Sequence, residues 1–188
     1  MKKLLSLAVA LCLCITLLGM TTGCNQEKDF DTDANAVLAP AVKLFDYFYQ
    51  FCLPVDENIS QEVNGKTYYK VDFETYPTYQ SLSDKIYATF SQEIGDQLFA
   101  QGHYIDIDGA LYADNYDNQD KMDPNITNVS YILSEEQNKI IHYKAIVSYL
   151  PAESNGAPEM KEYYYDYELV DDQWLFTRFE YFWVDTGA

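Results

Sequence analysis

The apolar positions along the chain change period several times, and each change marks an element. Lys2 and Lys3 precede an uncharged apolar run over 4–18, followed by Thr21-Thr22-Gly23-Cys24. Residues 24–33 are polar and acidic without apolar periodicity and read as a tether. From Thr32 to about Leu53, Val37, Leu38, Val42, Phe45, Phe48, Tyr49 and Cys52 return at three- and four-residue spacings, which is one face of a helix. Thr32 or Asp33 can cap its start and Pro54 lies beyond its end, while Pro40 inside the pattern allows a break or a later start. Two β-favouring runs, 59–63 and 66–71, flank Asn64-Gly65 and predict a hairpin on a type I′ turn. Ser81-Leu-Ser-Asp84 has the form of a capping box before Leu82, Ile86, Tyr87 and Phe90 on one helical face. Ser91 opens another helix with Ile94, Leu98 and Phe99 as its apolar side, ended by Gly102. A small hairpin follows, 104–106 and 110–113 around Asp108-Gly109.

The last third alternates with period two. Runs over 126–133, 139–150, 160–170 and 174–183, separated by 134–138, 151–159 and 171–173, predict a β-meander. Ile141, Tyr143, Ala145, Val147 and Tyr149 share one parity, as do Tyr163, Tyr165, Tyr167 and Leu169, against polar alternates such as His142, Lys144, Glu162 and Asp166. One face therefore packs and the other meets water. The final run has Trp174, Phe176 and Phe182 on one side and Leu175, Phe179, Tyr181 and Trp183 on the other, so it is expected to be central or covered on both sides. Helices followed by a long antiparallel sheet predict a single α+β domain over 34–188, with N-terminal helices packed on a curved, mostly antiparallel sheet. That order resembles the cystatin-like cone of nuclear transport factor 2-like and SnoaL-like domains, a fold that hosts enzymes, binders and adaptors alike.

Composition sharpens the address and the partner. Twelve Lys plus Arg face thirty Asp plus Glu, a formal charge of -18, which excludes strong binding to the phosphate backbone of nucleic acid. The basic start, apolar run and small residues over 1–23 have the three parts of an export signal, and fifteen apolar residues are short for a spanning helix. Gly23-Cys24 resembles a bacterial lipobox, with Thr21 where Leu is commonest. The resemblance implies a diacylglyceryl thioether on Cys24, a fatty acid such as palmitate on the mature terminus, and a place on the outer face of the cytoplasmic membrane. An uncleaved anchor and a simple secreted protein are the alternatives, and all three put the domain outside the cytoplasm. The signal holds two Lys and no acid, so its removal leaves the chain more acidic still. With Cys12 and Cys14 in the signal and Cys24 lipidated, Cys52 alone remains, which excludes an intramolecular disulfide. Its apolar surroundings read as those of a buried small hydrophobe rather than a nucleophile.

Candidate chemistry is sparse. Only His103 and His142 exist, and H-E-x-x-H, a Cys-His motif and a Gly-rich phosphate loop are all missing from the sequence, so neither an enzyme mechanism nor a cofactor is expected. The concentrated polar feature is 106–123, where Asp106, Asp108, Asp114, Asp117, Asp120 and Asp123 face a single Lys121, with Tyr112 and Tyr116 among them. It reads as a solvated acidic loop or as a docking surface for a basic partner formed by Asp106, Asp108, Tyr112, Asp114, Tyr116, Asp117 and Asp120. Calcium ligation is a third reading, but the spacing does not match an EF-hand, and no metal is expected.

Three segments carry a further resemblance: Asn64-Gly-Lys-Thr-Tyr-Tyr-Lys-Val71, Tyr104-Ile-Asp-Ile-Asp-Gly-Ala-Leu-Tyr112 and Asp172-Gln-Trp-Leu-Phe-Thr-Arg-Phe-Glu-Tyr-Phe-Trp183. Together they resemble Gram-positive lipoproteins of the IseA-type DL-endopeptidase inhibitor family. The resemblance implies an extracellular inhibitor of NlpC-type cysteine peptidases of the cell wall that acts through an acidic surface. The expected function is thus a tethered, non-catalytic lipoprotein that binds a basic envelope protein. The rival is a cone with a small-molecule pocket, acting as a binder or as an isomerase- or dehydratase-like enzyme. The anchoring expectation has a direct check: Cys24→Ala should leave the chain unprocessed and unmarked by a labelled fatty acid, and label retained in the variant contradicts it.

Overall fold

The computed structural model describes residues 30–118, 123–150 and 156–183, with side chains from 34 onward. The expected signal over 1–23, Cys24, the start of the tether and Asp120 lie outside the described residues.

Helix α1, Phe30–Tyr49, begins two residues earlier than the apolar period indicates, inside the expected tether, and runs through Pro40 without ending. An interior proline costs about 3 kcal/mol. Here Leu38, Ala41, Val42, Leu44 and Phe45 are all buried on either side of it, so packing overrides the local penalty. The buried set is wider than one face: Leu44 and Tyr47 turn inward as well as Phe45 and Phe48. Helices α2, Tyr79–Tyr87, and α3, Gln92–Ala100, are short. The cap of α2 is Thr78, three residues before the expected Ser81. Thr78 accepts from the Ser81 N–H at 3.1 Å while the Ser81 hydroxyl oxygen accepts from the Thr78 N–H at 3.1 Å, so a serine serves where a capping box usually has Glu. Ser91 caps α3 as its sequence predicts.

The strands form two four-stranded antiparallel sheets. Strands β1, Val55–Val63, and β2, Lys66–Val71, make the expected hairpin, with Asn64 and Gly65 both at positive φ. The second hairpin, β3, Tyr104–Ile107, and β4, Ala110–Ala113, joins it edge to edge in the order β1-β2-β4-β3. The meander comprises β5, Ile126–Gln137, β6, Ile140–Tyr149, β7, Glu159–Val170, and β8, Gln173–Phe179, in that order. The α+β class with helices packed on curved antiparallel sheet is therefore as expected, with the division into two sheets added by the structure.

Several boundaries differ from the pattern, among them the start of β1, which begins at Val55 where the pattern places it at 59. Strand β5 continues past Leu133 because a bulge between Leu133 and Glu135 lets pairing resume to Gln137, and Asn138 at positive φ makes the turn. Strand β8 ends at Phe179, and a second bulge opposite Asp166 and Tyr167 sets Phe176 against Tyr167 and Phe179 against Tyr165. Phe176 and Phe179, expected on opposite sides, thus meet edge to face on one core side with ring centroids 5.2 Å apart. By pairing order β8 is an edge strand and not a central one. Its outer edge is covered by the α2–α3 link, where Phe176 N–H donates to Thr89 O at 2.9 Å and Ser91 N–H donates to Phe176 O at 2.8 Å.

One core connects both sheets through α1. Phe45 stacks on Phe179 at 4.5 Å and meets Phe90 edge-on at 5.2 Å, whereas Phe48 meets Tyr104 at 5.0 Å and Phe99 at 5.4 Å. The meander parity follows the alternation: Tyr143, Ala145, Val147, Tyr149 and Tyr165 are buried. Tyr165 is fully buried, whereas its neighbour Tyr164 is 38% exposed. Tyr165→Asp is therefore expected to cost about 4 kcal/mol or more and Tyr164→Asp about 1 kcal/mol, read by urea unfolding. Equal losses would mean that the face assignment is wrong by one residue.

Candidate partner-binding site

The candidate site forms where the carbonyl end of α1 meets the segment after β4. A helix leaves its last four carbonyls without intrahelical donors. In this chain, the segment 114–118 supplies many of the missing donors as a strap. Tyr47 O accepts from the Tyr104 hydroxyl at 2.7 Å and from the Tyr116 hydroxyl. Tyr49 O accepts from the Asn118 side-chain amide at 3.1 Å, and Gln50 O accepts from the Asn118 N–H at 2.6 Å. Cys52 N–H donates to Tyr116 O at 3.1 Å, and Phe51 and Asp117 form a bridge. Tyr104 also accepts from the Leu53 N–H at 2.9 Å, so one phenol ties the chain leaving the helix to its last turn. Burial pushes the Tyr104 and Tyr116 phenols well above their ordinary range, which keeps both as donors.

An ion cluster pins the start of the strap. Asp114, with its side chain 5% exposed, pairs with Lys66 and with His103 Nδ1 at 2.8 Å. Burial pushes the carboxyl up, but hydrogen bonds from His103 and Lys66 outweigh it, and the net shift is downward. His103 stacks on Tyr116 with centroids 3.7 Å apart, and Lys66 also donates to Gly102 O at 3.3 Å.

Beside the strap lies a cleft of ≈ 380 Å³ floored by Tyr47, Phe51 and Phe73. Asn115 and Asp117 form its strap side, with Cys52 from the chain leaving α1 beside them. Asn115 reaches across to Glu57 on β1 at 3.4 Å, so exposed Glu57 and Asp117 stand on the rim. Burial, with Asp114 nearby, pushes the Cys52 thiol up to about 11, which makes it a neutral donor to Asn115 Oδ1 at 3.6 Å rather than a thiolate nucleophile.

The seven residues singled out by sequence do not gather into one outward patch. Asp106 and Asp108 are exposed at the tip of the β3–β4 hairpin, roughly 13 Å of strand from its other end. There Asp106 Oδ1 accepts from the Gly109 N–H at 2.7 Å. Tyr112 is 8% exposed within the sheet, Asp114 is enclosed by Lys66 and His103, and Tyr116 is spent on Tyr47 and His103. Asp117 alone of the seven faces solvent at the cleft, and Asp120 lies outside the described residues. His142 pairs with Asp166 at 2.7 Å on the outer face of the meander. Among the described residues no group of three His, Cys, Asp or Glu side chains is placed to hold a metal ion. Sequence reasoning missed Lys66, Glu57, Phe51 and Phe73 as members of this site. The signal available was the cation directly after Asn64-Gly65, but its partner lies far along the chain. No family model matches the chain, and no curated protein matches it significantly.

The Asp114 cluster generates a prediction with a defined pH window. Its carboxyl is held below the ordinary value of 3.8, so its contribution is present above that value and is lost as pH falls through the lower folded value. Asp114→Asn should cost about 1–3 kcal/mol at pH 7, since Lys66 and His103 lose their charged acceptor. Urea unfolding should show the gap between wild type and variant narrowing below pH 3.8. A gap that is independent of pH contradicts the assignment.

Proposed function

We propose that this chain is a membrane-tethered extracytoplasmic lipoprotein that acts by binding a basic envelope protein, without chemistry of its own. The NlpC-type peptidase of the cell wall, to which the resemblance points, is the partner it would inhibit. The observation that supports this reading best is the cleft at the end of α1, whose aromatic floor of Tyr47, Phe51 and Phe73 carries the exposed carboxylates Glu57 and Asp117 on its rim. An apolar centre ringed by one sign of charge is the layout of a docking surface: the floor supplies buried area, and the rim steers a cationic partner. Lys66 is already engaged by Asp114, and exposed Lys70 lies opposite Asp56, on whose carboxyl its charge acts. The strap holds the rim in place through bonds to the helix end, so binding orders little new backbone. Among the described residues no helix is long and apolar enough to cross a membrane, and tethering rests on Cys24.

The geometry also decides which variant tests the reading. Neutralising Asp114 would mix a loss of fold stability with a loss of binding, whereas Glu57 and Asp117 are exposed. Glu57→Gln combined with Asp117→Asn should leave the unfolding midpoint within about 0.5 kcal/mol of wild type. The same pair should slow association with a purified NlpC-type peptidase domain, and wild-type affinity should fall as salt rises. Binding that is indifferent to both salt and the double substitution overturns the acidic-docking reading.

A further inference from the structure

A second cavity lies on the other side of Phe51, between α1, β5 and the segment that follows β8. It measures ≈ 400 Å³ and is walled by the aromatic rings of Phe51, Tyr131 and Trp183. Asp46, Gln50 and Lys43 supply its polar groups. The Asp46 carboxylate projects from the last turn of α1 and accepts the Tyr181 hydroxyl at 2.7 Å through Oδ1. Tyr181 is itself held by rings, 5.1 Å from Tyr49 and 5.6 Å from Phe45, so the acceptor geometry is set by the core. Gln50 is 5% exposed and is the one polar residue in the buried set of the described residues.

A half-buried carboxylate beside three aromatic faces matches one ligand chemistry. Aromatic rings attract a cation through their quadrupoles, and a carboxylate completes the pairing, while the apolar wall takes a hydrocarbon body. Lys43, one turn earlier on α1, is exposed and near enough for its charge to act on Asp46, so an ammonium ligand has to displace the Lys43 ammonium toward water. We infer that this cavity binds a primary organic ammonium ion carried on an apolar or aromatic body, with the ammonium on Asp46 and the body against Tyr131 and Trp183. The inference is independent of the acidic rim around Glu57 and Asp117, and the two sets of variants do not overlap.

Protonation gives the site a signature. Burial, opposed by the Tyr181 hydrogen bond and the Lys43 charge, raises the Asp46 carboxyl from 3.8 to about 6. The other titratable groups facing it are Tyr181 from the chain end and Tyr131 from β5, both pushed further above the phenol range by burial, and neither titrates near pH 6. An ammonium ligand therefore competes with a proton on Asp46, and its affinity rises as pH climbs from 5 to 7.

The test is titration of the purified full-length chain with 2-phenylethylammonium, followed by nuclear magnetic resonance shifts and calorimetry, with 2-phenylethanol as the uncharged match. The amine should bind saturably with shifts at Asp46, Tyr131 and Trp183, and the alcohol should bind about tenfold more weakly or not at all. Asp46→Asn keeps an acceptor for Tyr181 and should abolish both the preference for the amine and the pH dependence. Trp183→Ala should weaken the amine, and because Trp183 packs on Phe182 the comparison is made at a temperature where the variant is shown by its unfolding curve to be folded. A parallel titration with Nα-acetyl-lysine methylamide separates the possible sources: binding there identifies a lysine side chain of a protein as a ligand, and binding of the phenyl amine alone identifies a free amine. Equal affinity for amine and alcohol, or amine binding unchanged in Asp46→Asn, overturns the inference.

Discussion

The arrangement of this domain depends on how the carbonyl end of α1 is satisfied. A helix that stops inside a protein must find donors for its last carbonyls or leave them stranded away from water, at a cost of about 1–3 kcal/mol each. Two phenols and an asparagine, drawn from a segment more than fifty residues further on, fill that role here. Tyr104 belongs to β3 and Tyr116 to the strap, so satisfying Tyr47 O fixes the first sheet and the strap to the helix together. The acidic stretch that reads as a loop in sequence is thereby made part of the helix cap.

The same helix carries the two sheets. Its Phe45 belongs to the ring cluster of the meander, while Phe48 belongs with Tyr104 and the α3 ring Phe99. Each aromatic pair contributes about 0.5–1.5 kcal/mol beyond the area it buries, and the geometry of each fixes a rotamer. With Cys52 the single free cysteine among the described residues, this packing does the work that disulfides perform in many exported domains. Rigidity has a functional side. Both cavities touch Phe51, one on each flank, and both draw their polar groups from residues whose positions the helix end or the core already sets. A surface held this way offers its carboxylates in a fixed pattern and loses little entropy when covered.

Local signals were legible and distant ones were not. The Asn64-Gly65 hairpin, the Ser91 cap, the Gly102 stop and the parity of β6 and β7 follow from neighbours within a few residues, and the structure has them where the pattern places them. The Thr78 cap was hidden because serine replaced the expected acid at the third helical position. The bulges in β5 and β8 were hidden because one inserted residue shifts parity without leaving a mark in composition, which is why Phe176 and Phe179 share a face. The acidic segment was legible as charge and not as geometry. Sequence showed six Asp over 106–123, but the enclosure of Asp114 by Lys66 and His103 and the turning inward of Tyr116 arise from pairings between distant strands. Asp46 left no mark in the sequence, because its partner Tyr181 lies 135 residues further along the chain.

Native-state hydrogen exchange at the strap tests most directly whether it is part of the helix cap. The amides of Asp114, Asn118 and Cys52 donate to His103 O, Gln50 O and Tyr116 O, so they should open only with the sheet that holds them. Protection at these three amides comparable to that of β2 and β4 is the result expected. Exchange as fast as at the exposed Asp108-Gly109 turn would show that the strap is a free loop, and the fixed acidic rim would go with it.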